Sequence, residues 1–442
     1  MRIDSLRLQN FKGFDDQSFS FGPTFNLLIG DNGSGKTAIL DALTIAIGSL
    51  FLKFADAPSR HIRQDEVRLK TVRWDNGQGV NREPQYPVVI GAHGHVSGKP
   101  LEWERRLKTG SSRTDRIKAR PILNVSSSLQ KNVMEGKPTP LPVIAYYGTG
   151  RLWLQKQDRT TSLGKAESRL AAYSDSLDPA SNEKQFIRWF IDQEFANFQN
   201  TSRGDKPDEV LGAIKRAIQK CLPGCESFFY DGKEKAICAQ FSDGRNLPIE
   251  KFSDGERNMM GMIADLGSRC CKLNPFYGGE ALQRTEGIVL IDEIDLHLHP
   301  NWQRRVVGDL KRCFPKVQFI ATTHSPFIIQ ALNPTEDYTI RLTEEDGALP
   351  GSTDTLGIED IAEIYQGVEN PQRSRRYFEK IDAAERYFEA MDRAKNARGA
   401  ERQERIAELN QLMKEMELFG HDPAFQAALR LERRAQGLGD SN

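Results

Sequence analysis

The sequence predicts an α/β fold: a mixed sheet flanked by helices, with an antiparallel β subdomain, a helical insertion and a C-terminal helical module. Three observations carry that expectation. The apolar run Phe25, Leu27, Leu28, Ile29 leads into Gly30-Asp31-Asn32-Gly33-Ser34-Gly35-Lys36-Thr37, and a helical pattern follows directly through Ala38, Ile39, Leu40, Ala42 and Leu43. A second apolar run, Gly287–Ile291, stops at two acids, Asp292 and Glu293. A third, Val317–Ala321, stops at the polar turn Thr322-Thr323-His324-Ser325-Pro326. Short unbroken apolar runs suit strands buried on both faces, as in a parallel sheet between helices.

Residues 1–29 read as two strands, Ile3–Leu8 and Phe25–Ile29, joined by a polar turn, with Leu8-Gln9-Asn10-Phe11-Lys12-Gly13-Phe14 between them. A basic stretch, Arg60-His61-Ile62-Arg63, follows the first helix. Val67–Trp74, Pro87–Gly91 and Leu101–Leu107 form a β-rich region, and the alternation in the last suits a half-exposed strand. Residues 108–120, rich in Arg, Lys and Ser, read as a solvated loop or helix; Leu141–Tyr147 reads as a strand stopped by Gly148-Thr149-Gly150. From 151 to 222 the period is helical, with Phe186, Trp189 and Phe190 on one face and Val210, Ile214, Ile218 and Cys221 on another. A hairpin is expected over 227–249, turning at Asp231-Gly232 and Asp243-Gly244. Beyond about 355 the chain is helical and charged, with stripes Ile381, Ala384, Phe388, Met391 and Ile406, Leu409, Met413, Met416. Such stripes serve internal packing or a partner equally well. The expected divisions are 1–150, 151–225, 226–345 and 346–442.

Composition narrows the classes. The 442 residues suffice for more than one core. Lys+Arg and Asp+Glu each number 61, so net charge gives no argument for a polyanionic partner. No apolar run approaches a membrane span and no signal peptide is evident, which makes the cytoplasm the expected compartment. Of the six cysteines, Cys221/Cys225 and Cys270/Cys271 are close pairs, but neither has a second pair at zinc spacing. Buried free thiols are expected.

The chemistry rests on four motifs. Gly30–Thr37 fits G-x-x-x-x-G-K-[ST] at every fixed position. Glycines let the backbone of Asn32 through Ala38 (Asn32, Gly33, Ser34, Gly35, Lys36, Thr37, Ala38) wrap a phosphate at a helix N-terminus. Lys36 should reach the β- and γ-phosphates of ATP, and the Thr37 hydroxyl should ligate Mg2+. The plain alternative is a glycine-rich turn. In Gly287–Glu293, Asp292 would hold Mg2+ and Glu293 would polarise the attacking water; otherwise this is a core strand with a polar end. Ser253-Asp254-Gly255-Glu256 opens an amphipathic helix and presents a hydroxyl and free N–H groups, although the same residues make a good cap. His324, at the end of the third run, could contact the γ-phosphate and sense hydrolysis, or be an ordinary surface residue.

In this order the four motifs resemble the ATP-binding cassette ATPases of the SMC, Rad50 and RecF type over roughly residues 1–340. Gly30–Thr37 looks like Walker A, Ser253–Glu256 like the signature motif, Ile288–Glu293 like Walker B, Asp295 like the D-loop acid and His324 like the switch histidine. The resemblance implies an ABC-ATPase head that forms a head-to-tail homodimer or larger homo-oligomer. ATP on Lys36 and Thr37 of one copy would be closed by Ser253 and Gly255 of the other. Two departures stand out. No long coiled coil is present, and the Q-loop glutamine has only Gln155 and Gln157 as candidates, with Arg151 able to fill the same loop.

A closer resemblance rests on Leu8–Phe14, Ala145–Arg151 and Ile291-Asp292-Glu293-Ile294-Asp295-Leu296-His297-Leu298-His299-Pro300. These look like compact bacterial AAA15/AAA21-type ATPases, and among them the PtuA group of Septu and retron-linked anti-phage defence. That group implies an HNH nuclease partner, often docked on the C-terminal helices. Alternatives are a nucleotide-sensing scaffold with little turnover, a RecF-like DNA repair ATPase, a nuclease with a fused TOPRIM domain, and a transporter subunit. Residues 340–442 lack the strand pattern of TOPRIM, and the hydrophilic C-terminus and β-rich insertion argue against the transporter. Arg60, Arg63, Arg105, Arg106, Lys108, Arg113, Arg116, Lys118 and Arg120 are candidates for a DNA-binding surface, or for a merely solvated charged face.

Overall fold

The computed structural model describes residues 1–54, 57–73, 80–152, 168–178, 183–342, 355–417 and 423–439. They divide into two compact units, Met1–Gln366 and Gly367–Asn442. The first unit begins β1 (Arg2–Phe11), β2 (Phe14–Ser20), β3 (Phe25–Ile29), α1 (Lys36–Ile47), β4 (Leu69–Arg73) and β5 (Val80–Pro84). It continues β6 (Val88–Val96), β7 (Lys99–Leu107), α2 (Arg120–Met134), β8 (Val143–Tyr147), α3 (Glu183–Ser202) and α4 (Glu209–Cys221). Next come β9 (Cys225–Asp231), β10 (Ala236–Phe241), β11 (Asn246–Pro248), α5 (Asp254–Leu273) and α6 (Ala281–Arg284). It closes with β12 (Gly287–Ile291), α7 (Pro300–Cys313), β13 (Val317–Thr322), α8 (Pro326–Gln330), β14 (Tyr338–Arg341) and α9 (Ile358–Gln366).

The central sheet has the order β14-β3-β13-β12-β8, and every pairing in it is parallel. Its inner strands are buried along their whole length, as their unbroken apolar sequences require. Register places Thr322 beside Leu28 and Ala321 beside Ile291, so β3, β13 and β12 end at one edge. Their outgoing loops therefore converge where parallel sheets hold ligands.

A second, antiparallel sheet has the order β2-β1-β6-β7. Its β7 lays Trp103 against α1, and the indole N–H donates to Ala46 O at 2.9 Å. The two sheets are joined by the buried Gln318. Its amide donates to Ile3 O and Gly22 O, both at 2.7 Å, and accepts from Ile3 N at 2.9 Å. The strand β2 was not expected from sequence: Phe14–Ser20 is mostly polar because it is an edge strand in which only Phe14 and Phe19 are buried. The expected hairpin is instead the three-stranded meander β11-β10-β9.

The helical region after 151 supplies α3 and α4. Phe186 and Phe190 are buried, and Leu211, Ile214, Ile218 and Cys221 pack against α5. All six cysteines are free thiols, with Cys221 and Cys313 sulfurs 3.5 Å apart. Residues Ile361 and Tyr365 of α9 are buried in the first unit's core, so that unit reaches Gln366 rather than stopping at 345.

The second unit comprises α10 (Arg375–Asn396), α11 (Gly399–Glu417) and α12 (Pro423–Ala435). Its core contains Ala383, Ala384, Tyr387, Ala390, Met391 and Ala394 with Leu409, Met413, Met416 and Leu429. Of the expected stripe, Ala384 and Met391 are buried and Ile381 half-buried, but Phe388 is exposed and the neighbouring Tyr387 fills the core instead.

Candidate nucleotide site

The loop Gly30–Thr37 joins the end of β3 to α1. Three of its residues have left-handed or open backbone that glycine tolerates: Gly30, Gly33 and Gly35, with φ of 150°, 85° and 99°. Gly35 is doubly constrained, because a Cβ there would sit 2.6 Å from the Phe14 ring. No side chain caps α1, which leaves its N-terminal N–H groups for a ligand. Asp31, Asn32, Gly33 and Thr37 are exposed, Ser34 and Gly35 half-buried, and Lys36 and Ala38 buried.

The ammonium of Lys36 donates to the loop's own carbonyls, Gly30 O at 2.7 Å and Asp31 O at 2.9 Å. Burial pushes its pKa down, against the opposing fields of Asp292, Asp31 and Glu293.

The acidic pair is assembled by β12 and β13 together. The Thr37 hydroxyl donates to Asp292 Oδ2 at 3.1 Å. The Thr322 hydroxyl donates to Asp292 Oδ1 at 2.7 Å and accepts the Glu293 N–H at 2.7 Å. Glu293 has φ 49°, a left-handed turn that Thr322 fastens. Asp292 N–H donates to Tyr147 O at 2.8 Å, tying the pair to β8 as well. Tyr146, one residue back on β8, has its pKa raised by burial and then by Asp292 and Asp41. Asp295 accepts from the Thr323 hydroxyl. His324 is exposed, directly follows Thr322 and Thr323 at the same sheet edge, and its carbonyl accepts from Gln366 Nε2 at 2.7 Å.

The Ser253 motif opens α5 as a closed capping box. The Ser253 hydroxyl donates to Glu256 Oε2 at 2.8 Å and accepts Glu256 N–H at 3.3 Å, while Ser253 N–H donates to the same carboxylate at 2.8 Å. Gly255 is buried against the loop that follows Glu293, where a Cβ would come within 2.6 Å of His297 O. Asn258 Nδ2 donates to Leu296 O at 3.1 Å, so the start of α5 is rooted on that loop.

Thus Lys36, Thr37, Asp292 and Glu293 gather at the carboxyl edge of the sheet, and His324 leaves β13 at the same edge. Ser253, Gly255 and Glu256 lie against Leu296–Leu298. Gln155 and Gln157 fall outside the described residues. Sequence reasoning missed Thr322, whose only local signal was its place at the end of an apolar run. The proposed basic surface is thinner than expected. Arg105 is fully buried, Arg60 pairs with Asp41 and Glu66, Lys108 with Asp115, and both Arg106 and Lys118 with Glu104. Arg63, Arg113, Arg116 and Arg120 remain exposed.

An AAA-domain family model matches residues 5–226, just over half the chain, and a second AAA-domain model matches 151–330. Septu protein PtuA of Bacillus thuringiensis is 37% identical, covering 86% of this chain and 87% of its own. The Retron Ec83 probable ATPase of Escherichia coli is 24% identical over 83% of this chain and 77% of its own. Among solved structures, the SMC head domain from Thermotoga maritima is 17% identical, covers 75% of this chain and 93% of that one, and gives a TM-score of 0.43. The chain belongs to the AAA-domain ATPase family that includes the Septu protein PtuA.

Proposed function

We propose that this protein hydrolyses ATP and uses the cycle to control a nuclease partner of the HNH type in bacterial anti-phage defence. The observation that supports hydrolysis best is the Thr37–Asp292–Thr322–Glu293 network beside the phosphate loop. The all-oxygen donor pair of Thr37 and Asp292 suits Mg2+, a hard cation, which would neutralise charge on the β- and γ-phosphates. Lys36 turns from the carbonyls of Gly30 and Asp31 to the γ-phosphate. Asn32 through Ala38 supply N–H groups to the other phosphate oxygens. Glu293, held in its turn by Thr322, accepts a proton from the attacking water. His324 donates to the γ-phosphate as charge develops on it.

Each chain carries two helix starts that serve this reading, α1 with no side-chain cap and α5 closed by its own Ser253–Glu256 capping box. In the assembly proposed here, Ser253 and Gly255 of a second copy close over ATP held on Lys36 and Thr37, giving a homodimer or a larger homo-oligomer. The Ser253 hydroxyl then exchanges Glu256 for phosphate. The helices α10–α12 present the partner surface, DNA is a further candidate ligand, and the work is done in the cytoplasm. No helix among the described residues is long and apolar enough to cross a membrane.

The test is mass by light scattering with phosphate release, for wild type and Glu293→Gln, with and without MgATP. A larger assembly that Glu293→Gln stabilises, with turnover lost, supports the proposal. A Glu293→Gln chain that stays monomeric and fully active removes Glu293 from its role. An assembly indifferent to ATP with negligible wild-type turnover replaces the enzyme with a nucleotide-binding scaffold.

A further inference from the structure

Along the inner face of β7 the buried side chains are Trp103, Arg105 and Leu107. Strand alternation calls for an apolar residue between Trp103 and Leu107, and the sequence places a guanidinium there. Arg105 is 0% exposed. Its Nη2 donates to His61 Nδ1 at 3.0 Å, whereas Nε and Nη1 have no partner among the described residues.

Burying a cation is costly unless a counter-charge meets it. The carboxylate whose field reaches Arg105, Asp115, is engaged elsewhere. Asp115 pairs with Lys108 at 3.2 Å and accepts from Ile117 N at 2.6 Å. The remaining charged neighbour, Arg116, is cationic. Burial and Arg116 push the Arg105 pKa down to about 10, which still leaves it protonated near neutrality. His61 is held below its ordinary pKa by burial, Arg105 and Arg116. A fixed positive charge with two free donors thus lies beneath two exposed side chains, His61 and Arg116.

We propose that Arg105, with His61 and Arg116 at its rim, is a binding site for a phosphate-type oxyanion, formed by residues separate from the nucleotide loop. The oxyanion accepts from Nε and Nη1 in the forked geometry that guanidinium offers, and His61 and Arg116 part to admit it. The phosphate can be free or part of a nucleic-acid backbone.

The experiment uses the full chain carrying Lys36→Ala, so that the nucleotide loop does not dominate the reading. Thermal unfolding is followed against sodium phosphate, with sodium chloride at matched ionic strength as reference. Phosphate is expected to raise Tm, and adding Arg105→Met is expected to shift the half-maximal concentration upward about tenfold, as loss of charged hydrogen bonds implies. An equal response with and without Arg105 means an adventitious ion only and overturns the site. Should Arg105→Met not fold, the exposed-residue pair His61→Ala and Arg116→Ala must weaken the response severalfold; an unchanged midpoint overturns the proposal. A parallel arm uses a DNA oligonucleotide. An Arg105-dependent shift at micromolar DNA assigns the site to backbone phosphate, and a shift with inorganic phosphate alone assigns it to the free anion.

Discussion

Thr322 donates its hydroxyl hydrogen to Asp292 Oδ1 at 2.7 Å, and its own hydroxyl oxygen accepts the backbone N–H of Glu293, also at 2.7 Å. One side chain therefore sets the direction of the carboxylate and the backbone turn of its neighbour. Thr322→Val keeps the shape and deletes both bonds. ATP turnover is expected to fall about 10–100-fold, the usual cost of removing a partner that orients a metal ligand. Nucleotide affinity measured without Mg2+ should hardly change, and Thr322→Ser should recover most of the rate. Parallel losses in binding and turnover would instead mark Thr322 as a general packing residue.

Lys36 is satisfied in the free loop by two carbonyls, so its removal costs the fold little and the ligand much. Lys36→Ala is expected to abolish ATP binding in a fluorescent-nucleotide titration while leaving the unfolding midpoint within a few degrees. Wild-type ATP affinity in this variant would break the assignment of the phosphate loop.

Gln318 saturates three backbone groups across two sheets. Gln318→Leu takes the side-chain partner from Ile3 N–H and Ile3 O, at about 1–3 kcal/mol each, while Gly22 O keeps the Asn26 amide at 3.0 Å. Denaturant unfolding should show a loss of about 2 kcal/mol or more. A loss below 1 kcal/mol would mean that water replaces the amide.

His61 binds its proton less readily in the fold than in the unfolded chain, where its value is near 6.5. As pH falls below about 6.5 the unfolded state takes up the proton first, so stability declines until the lower folded value is passed. Unfolding midpoints between pH 7.5 and 5 should show this decline, and His61→Gln should flatten it. A wild-type slope identical to that of the variant would show that other groups carry the effect.

Sequence legibility followed locality. The phosphate loop and the Gly287–Glu293 run could be read directly because strand, loop and ligand residues are contiguous there. Thr322 could not, because its duty exists only once β13 pairs with β12. The polar edge strand β2 hid for a related reason: only Phe14 and Phe19 are buried, and its other residues, all polar, are exposed. Arg105 was counted among surface cations because composition does not say which face of β7 turns inward. Only the alternation with Trp103 and Leu107 reveals it.

The place of β3 in the central sheet has a consequence for synthesis. Its two neighbours are β13 and β14, encoded some 300 residues later. A ribosome-bound chain thus displays Phe25–Ile29 with both hydrogen-bonding edges open until nearly the whole first unit has emerged, and such exposed edges invite wrong pairing. The nucleotide loop has no finished support until then. An early-terminated product cannot assemble Thr322 beside Asp292, so competence for ATP arises as one of the last events in making this protein.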